Sequence, residues 1–239
     1  MKRAVILSGG TGSRLKPATA NINKHLLPVY SSNGAVPMIY YPIATLVNSG
    51  ITDILIVSSR EHCGRIMEHL SDGKEFHADF TYKIQDTAHA PMGIASALKL
   101  ARNFTNDEKF AVILGDNFFE DSFQEEFAQF SRSNDSASIF LKEVHDPQRF
   151  GVYADGQIEE KPIVPKSNWA VSGLYLYTPN VYDIANTLVV SARGELEVSD
   201  INSYYCQRSM HVNYIKGFWS DCGTVESMLK TQNWLNQCE

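Results

Sequence analysis

The first half of the chain alternates short apolar runs with longer amphipathic stretches. Runs that are apolar almost throughout are typical of parallel strands covered on both faces. The predicted strands are 2–7, 53–58, 80–85 and 109–116, and the predicted helices between them are 37–50, 60–70 and 91–104. Strands that alternate with helices predict a Rossmann-like, doubly wound α/β sheet, mostly parallel, whose ligand lies beyond the carboxyl ends of the strands.

In the second half, strand-like segments follow one another more closely. These segments are 137–144, 151–162 and 170–177. Asp155-Gly156 is a tight-turn signal inside the second segment, so we predict a smaller, partly antiparallel layer beside the first sheet. The remaining predicted elements are helices near 179–189 and 197–207, a strand at 211–216 and a final helix from about Val225. No repeat or Pro/Gly/Ser-rich linker divides the chain, which predicts one domain over 1–239 whose two halves meet at about residue 120.

Composition and charge limit the classes of partner. The chain has 239 residues, enough for one large core, and carries a net charge of −6, which repels nucleic acid and anionic lipid. No apolar run approaches the roughly 20 residues of a membrane span, and the apolar stretch after Met1 is too short for a signal peptide. The four cysteines form no metal-binding spacing. We expect a cytoplasmic protein with reduced thiols that binds neither nucleic acid nor membrane.

A glycine-rich turn follows the first predicted strand, in "AVILSGGTGSRLKP". The turn lacks the P-loop pattern GxxxxGK[ST], and the stretch that begins at Gly10 fails the dinucleotide pattern GxGxxG at its last position. Backbone N–H groups of such a turn can converge on an anion, and Arg14 and Lys24 add two positive charges, which suits a polyphosphate. The glycine spacing alone leaves a second interpretation open, a tight turn with solvated Arg and Lys side chains.

Sequence blocks extend the pattern along the whole chain. "GGTGSRLKP" followed by "NKHLLPV" resembles the signature of glucose-1-phosphate thymidylyltransferases, which reads close to GGxGTRLxP and KxLLPV. Seven further blocks have counterparts in the same order: "PMIYYPI", "GITDILI", "ILGDNFF", "FGVYADG", "IEEKPIVPKSNWAVSGLYLY", "SARGELEVSDIN" and "WSDCGT". Two positions depart from the common pattern, because Ser13 and Cys222 stand where many members have Thr. The resemblance implies the nucleotide-diphospho-sugar transferase fold in its short form, with a nucleotide-binding first half and a sugar-binding second half.

The resemblance also implies a reaction. Enzymes of this family join a sugar 1-phosphate to a nucleoside triphosphate, and pyrophosphate leaves. The substrate supplies the nucleophile, so the protein's task is positioning and charge neutralisation with Mg²⁺. The catalytic residues that the resemblance implies are Arg14, Lys24, Asp116, Lys161 and Asp221, with Asp116 and Asp221 as the magnesium ligands. Local sequence leaves another role open for Asp116, the cap of a helix that follows it.

The resemblance assigns nucleotide binding to the glycine turn and to a segment that begins at the end of the third predicted strand. The implied residues are Gly9, Gly10, Gly12, Ser13, Gln85, Pro91 and Gly93. The amide of Gln85 can donate to and accept from the polar edge of thymine or uracil, so it does not separate the two bases. Two stretches are longer than usual in the family: "QDTAHAPMGIASA", which contains Pro91, and "YSSNGAVPMI".

The sugar phosphate is assigned by resemblance to Gly151, Glu160, Lys161, Arg193 and Trp219. Glu160 hydrogen-bonds sugar hydroxyls, and Lys161 and Arg193 contact the phosphate. Read alone, the same residues are a strand glycine, a surface charge pair and a loop arginine.

These observations predict a magnesium-dependent reaction of dTTP with glucose 1-phosphate that gives dTDP-glucose and pyrophosphate, a precursor for deoxysugars or surface polysaccharide. The alternatives are a UTP- or CTP-using enzyme for another hexose 1-phosphate, and a catalytically silent regulatory protein that binds nucleotide sugars. A nicotinamide-dependent oxidoreductase is the weakest alternative, because the turn lacks the third glycine of the dinucleotide-binding pattern. We expect a homo-oligomer, and, because the chain ends at Glu239, weak or absent feedback at the second nucleotide-sugar site of longer relatives.

Overall fold

A computed structural model describes residues 1–10, 12–86, 88 and 91–237. The strands are β1 (Arg3–Leu7), β2 (Pro28–Ser31), β3 (Gly34–Pro37), β4 (Asp53–Ser59), β5 (Asp79–Gln85), β6 (Phe110–Leu114), β7 (Phe118–Phe119), β8 (Ala137–Glu143), β9 (Gly151–Ala154), β10 (Gln157–Glu160), β11 (Trp169–Tyr177), β12 (Met210–Tyr214) and β13 (Trp219–Ser220). The helices are α1 (Tyr40–Asn48), α2 (Cys63–Leu70), α3 (Ile94–Lys99), α4 (Arg102–Thr105), α5 (Gln124–Arg132), α6 (Val181–Thr187), α7 (Val198–Cys206) and α8 (Val225–Leu235). None of the helices in the described part of the chain is long and apolar enough to cross a membrane.

One mixed sheet of nine strands forms the centre of the molecule. Strands β6, β1, β4 and β5 lie side by side and parallel. Strand β11 pairs antiparallel with β6 on one side and with β8 on the other, and β12 adds to β8 in parallel. The α/β fold class is therefore confirmed, and the antiparallel strands of the second half continue the main sheet instead of forming a layer of their own.

Helices cover both faces of this sheet, as the apolar runs predict. Along β1, Val5 and Leu7 face one side and pack with α3, α6 and α7. Ala4 and Ile6 face the other side and pack with α1, α2 and α5. Because side chains alternate along a strand, a run that is apolar at every position fills both cores at once.

One edge of strand β11 pairs with β8, and the other edge is divided between β9 and β6. This division lies at the binding edge of the sheet. Its second half, Leu174–Tyr177, pairs with β6, whereas Ala170 in its first half pairs with Val152 of β9. The hairpin β9–β10 therefore begins where β6 has ended, just beyond Leu114. This places the hairpin beside the residues that follow β6.

Several elements differ from their predicted extents, and one hairpin was not predicted. The helix predicted at 91–104 begins only at Ile94, because Gly93 before it has a φ of +111°, and it is divided into α3 and α4. The strand predicted at 109–116 ends at Leu114, so that the next two residues form a turn. The longer stretch "YSSNGAVPMI" contains the turn of a separate hairpin, β2–β3, in which Gly34 has a φ of +124°.

Candidate functional site

Two clefts meet at the carboxyl edge of the parallel strands. The first is lined by the glycine turn, by Gln85 and by Lys24, and we call it the nucleotide cleft. The second is lined by β9, by Glu160 and by Asp221, and we call it the sugar cleft. Each holds about 210 Å³ of free space. Asp116 lines both clefts, so a group held in one can reach a group held in the other beside this carboxylate.

The glycine turn is shaped by its contacts with the segment that follows. Gly12 has a φ of +60°, and a methyl group built on it would lie 2.9 Å from Cγ2 of Thr19. The Thr19 hydroxyl donates a hydrogen bond of 2.8 Å to the carbonyl of Gly12. Gly9 and Gly10 line the nucleotide cleft, whereas Gly12 and Ser13 lie further along the turn and line neither cleft.

Gln85 ends β5, and two strands, β1 and β4, lie between β5 and the strand that leads to Asp116. Its side chain is buried, and Nε2 donates a hydrogen bond of 3.5 Å to the carbonyl of Gly93. Gly93 has no room for a side chain, because a methyl group there would lie 2.4 Å from the carbonyl oxygen of Leu196. Met92 lines this cleft and the exposed Pro91 does not. In the longer stretch before Pro91, Thr87, His89 and Ala90 lie outside the described residues.

Asp116 follows β6 and forms an ion pair with Lys24, whose Nζ donates to Oδ2. Burial is the largest single influence and works to raise the pKa of Asp116, but the charge of Lys24, together with the hydrogen bonds from Lys24 and Asn117, brings the pKa below its usual value. The carboxylate is therefore ionised near neutral pH. The alternative role of Asp116 as a helix cap is wrong, since the next helix begins at Gln124 with Phe123 in the N-cap position.

His25 lies directly beside this pair and was not among the predicted site residues. It is buried, and its Nδ1 lies 2.7 Å from Oδ1 of Asn23. Burial, helped by the charge of Lys24, lowers the pKa of His25 to about 3, so the ring is neutral near neutral pH. Gly115 packs on the ring, because a methyl group there would lie 2.8 Å from Cδ2 of His25. A buried neutral ring thus forms part of the nucleotide cleft wall.

Asn117 connects Asp116 to the second half of the chain. Its Nδ2 donates a hydrogen bond of 3.0 Å to Oδ1 of Asp116. Its Oδ1 accepts from the indole of Trp219 at 2.8 Å and from the backbone N–H of Gly173 at 3.0 Å. A methyl group on Gly173 would lie 2.6 Å from Nδ2 of Asn117, so only glycine leaves room for this amide. The block "GDN" was the available signal for Asn117.

Asp221 reaches the same cleft through the short ladder of β7 and β13, which pairs Ser220 with Phe118. Both oxygens of Asp221 accept from Nη2 of Arg149, at 2.9 and 3.2 Å. Arg14 lies close by, because a methyl group on Gly223 would lie 3.1 Å from its Nη2. Among the described residues Arg14 forms no ion pair. Arg149 was missed, although it immediately precedes the block "FGVYADG".

The predicted sugar residues meet around Glu160. Ser199 donates a hydrogen bond to Oε2 of Glu160, and Nη1 of Arg193 lies 3.1 Å from Oε1. Nζ of Lys161 lies 3.4 Å from the same oxygen. Gly151 packs against this group, because a methyl group on it would lie 3.0 Å from the Ser199 hydroxyl oxygen. A carboxylate and two cations therefore lie together in the sugar cleft, as predicted.

Arg193 is paired more extensively than predicted. Besides Glu160, its guanidinium lies 3.5 Å from a carboxylate oxygen of Glu195 and 3.5 Å from one of Glu197. Glu197 is itself buried and accepts from the Ser191 hydroxyl at 2.8 Å. Three carboxylates fix the guanidinium at the rim of the cleft.

Known proteins resemble this chain along nearly its whole length. A family model described as nucleotidyl transferase matches residues 3–237. The chain belongs to the nucleotidyl transferase family. A glucose-1-phosphate thymidylyltransferase of Neisseria meningitidis is 39% identical to it over 236 residues, which cover 95% of this chain and 80% of that protein. The glucose-1-phosphate thymidylyltransferase of Mycolicibacterium smegmatis is 36% identical, covering 99% of this chain and 83% of that protein. The family resemblance seen in the sequence blocks is confirmed.

Solved structures agree with this assignment. A Bacillus anthracis structure described as a glucose-1-phosphate thymidylyltransferase in complex with sucrose has a TM-score of 0.90 and 42% identity, covering 98% of this chain and 95% of that one. A UDP-glucose pyrophosphorylase structure has a TM-score of 0.84 at 22% identity over 100% of both chains, and at that identity it shows the fold alone.

The nucleotidyltransferase offers a sparse donor set for a cation. Within the described ranges, no group of three or more His, Cys, Asp or Glu side chains is placed to hold a metal ion. Asp116 and Asp221 nevertheless line one cleft, and both act on the buried Cys222 thiol, whose pKa of about 11 is raised chiefly by burial. Two carboxylates and open space for phosphate oxygens fit Mg²⁺, which commonly takes one or two protein carboxylates and completes its shell with phosphate and water.

Proposed function

We propose that this nucleotidyltransferase makes dTDP-glucose and pyrophosphate from dTTP and glucose 1-phosphate, with Mg²⁺ as cofactor. One observation carries the proposal: Asp116 lines both the nucleotide cleft, which Gln85 also lines, and the sugar cleft, which Glu160 also lines. A nucleotide whose base reaches Gln85 would present its phosphates beside Asp116. A sugar bound at Glu160 would present its phosphate from the opposite side.

In this reaction an oxygen of the sugar phosphate attacks the α-phosphorus of dTTP. The new O–P bond forms as the bond between the α-phosphorus and the bridging oxygen breaks, and pyrophosphate takes that electron pair. Two phosphate groups must approach each other against their mutual repulsion. Arg14, Lys24, Lys161 and Arg193 place four positive charges around this point.

Positioning accounts for the rest of the catalysis. The carboxylate of Glu160 can accept hydrogen bonds from sugar hydroxyls, while Arg193 and Lys161 remain beside it for the phosphate. The metal, held by Asp116 and Asp221, would neutralise charge on the phosphate oxygens. Lys24 keeps Asp116 ionised, which such a role requires.

The test is a pyrophosphate-release assay with Mg²⁺, in which nucleotide sugars are separated by chromatography. We expect product from dTTP and glucose 1-phosphate, and none with glucose 6-phosphate, which lacks the anomeric phosphate. Parallel reactions with UTP and CTP measure the base preference, which the Gln85 amide leaves open between thymine and uracil. Tight binding of dTDP-glucose without turnover for any pair of substrates would contradict the proposal and support a regulatory protein.

A further inference from the structure

Both aspartates of the candidate metal site already contact a cation. Lys24 pairs with Asp116, and Arg149 pairs with Asp221. These carboxylates are shielded from solvent, with side chains that are 11% and 17% exposed, respectively. An ion pair that water screens poorly is stronger than one on the open surface. Each carboxylate therefore has a competitor for any incoming cation.

Arg149 is held in place independently of Asp221. Its Nη1 lies 2.8 Å from Oδ2 of Asp146, and its guanidinium lies 5.0 Å from the centre of the Phe150 ring. It also ends a short 3₁₀ turn, Pro147–Arg149. By contrast, Asp116 is the one hydrogen-bond partner of the Lys24 ammonium group among the residues that the structure describes. The Arg149 side chain can thus keep its position when the contact with Asp221 is broken.

The backbone before Asp221 is also fixed, while its carboxylate lies among cations. The indole of Trp219 donates a hydrogen bond to Asn117, and the next residue, Ser220, is part of the β7–β13 ladder. A methyl group built on Gly223 would lie 3.1 Å from Oδ2 of Asp221 and 3.1 Å from Nη2 of Arg14. Arg14 and Arg149 both line the sugar cleft, so either guanidinium can face a phosphate there.

We propose that Arg149 is the counterion that holds Asp221 in the ligand-free protein and competes with a divalent cation for that carboxylate. This inference rests on the proposed function, which uses Asp221 as a metal ligand. Without nucleotide, a cation can bind Asp221 only by displacing Arg149. With nucleotide, phosphates that extend past Asp116 into the sugar cleft, which Arg149 lines, offer Arg149 another anionic partner, and Asp221 is released. Arg149 therefore makes cation binding depend on nucleotide, and it acts as a positioning residue.

The test measures Mn²⁺ binding from the electron paramagnetic resonance signal of free Mn²⁺, without substrates and with a non-hydrolysable α,β-methylene analogue of dTTP. Arg149→Met removes the positive charge that competes for Asp221 and leaves this shielded carboxylate without its counterion, so we expect Mn²⁺ binding without nucleotide to tighten by about tenfold or more. The gain should vanish in the double variant with Asp221→Asn. Arg102→Met removes a surface arginine paired with Asp183 and should leave Mn²⁺ binding unchanged.

Unchanged or weaker Mn²⁺ binding in Arg149→Met overturns the inference, because competition predicts only tighter binding. If Arg149→Met loses the circular dichroism spectrum of the folded protein, Arg149→Gln is measured instead. If neither variant folds, the ion pair between Arg149 and Asp221 is structural, and this result also overturns the inference. Wild-type protein that binds no Mn²⁺ even with the nucleotide analogue contradicts the metal site of the proposed function itself. The two failures are therefore distinguishable.

Discussion

The indole of Trp219 donates a hydrogen bond of 2.8 Å to Oδ1 of Asn117, whose amide nitrogen holds Asp116. Asn117→Asp keeps the accepting oxygen but replaces the donor to Asp116 with a second negative charge. We expect kcat to fall at least about tenfold, since a hydrogen bond to a charged group contributes about 1.5–3 kcal/mol, while KM for both substrates changes little. Steady-state kinetics measure this. Asn213→Asp, at an amide bonded to Ser138 on β8, is the control that should keep wild-type kcat.

Asp116→Asn tests the candidate metal site. The variant keeps the shape of the side chain and removes the charge that pairs with Lys24. We expect turnover to fall by about two orders of magnitude or more, with the thermal transition still cooperative. Asp183→Asn, at an exposed carboxylate on α6, should have wild-type turnover. Near-normal turnover of Asp116→Asn at ordinary Mg²⁺ concentration would remove Asp116 from the metal site.

Arg193→Ala should mainly affect the sugar phosphate. The change removes the phosphate contact that we propose and leaves Glu160, Glu195 and Glu197 without their shared cation. We therefore expect KM for glucose 1-phosphate to rise about tenfold or more, because charge-assisted hydrogen bonds contribute about 1.5–3 kcal/mol each. Arg193→Lys keeps the charge but loses the planar, forked guanidinium group, so its KM for glucose 1-phosphate should lie between those of the wild type and of Arg193→Ala. An effect confined to KM for the nucleotide would place Arg193 elsewhere.

Gly173→Ala should destabilise the protein as well as its site. The added methyl group would lie 2.6 Å from the Asn117 amide, which has to move, and its buried hydrogen bonds are then lost. We expect the free energy of unfolding to fall by about 1–3 kcal/mol in urea denaturation, together with activity. The matched control is Gly64→Ala in α2, where nothing lies within 4 Å of the new methyl group. That change should stabilise the helix by about 0.5–1 kcal/mol.

His25 predicts a pH dependence of stability. Its pKa is lowered from 6.5 to about 3 by burial, so between these values the unfolded chain binds a proton that the folded protein does not. Stability therefore falls as the pH drops below about 6.5, by up to about 1.4 kcal/mol per pH unit from this group. Urea denaturation between pH 7 and pH 4 should show a shallower loss for His25→Gln than for wild type. His145→Gln, at an exposed histidine, should follow the wild-type curve, and identical curves for all three proteins would exclude His25 as the source.

Much of the fold could be predicted from the sequence, because buried parallel strands are apolar on both faces. The runs around β1, β4 and β6 show this directly, and the Asp155-Gly156 turn joins β9 to β10 with positive φ at both residues. The pairing of β9 with the first half of β11 could not be predicted, since alternation along a strand identifies its faces and not its neighbours.

The candidate site was predicted in part for a similar reason. Motif blocks placed Asp116 and Asp221 together, but they did not show which neighbours orient the two carboxylates. Asn117 stands inside the block "GDN" without a predicted role, and Arg149 stands just before "FGVYADG". Asn117 and Arg149 act through hydrogen bonds to residues about 50 to 100 positions away, which no local pattern encodes. His25 was not among the predicted site residues, and only its burial shows that the ring is neutral.

The division of β11 between β6 and β9 also bears on how the chain folds during synthesis. The strand that leads to Asp116 remains an open sheet edge until β11, far later in the chain, is available to pair with it. Asp221 follows β13, which is synthesised later still. On the ribosome the first half would therefore expose an unpaired apolar edge, a site for wrong pairing with other chains. The two carboxylates can come together only after β13 has emerged as well.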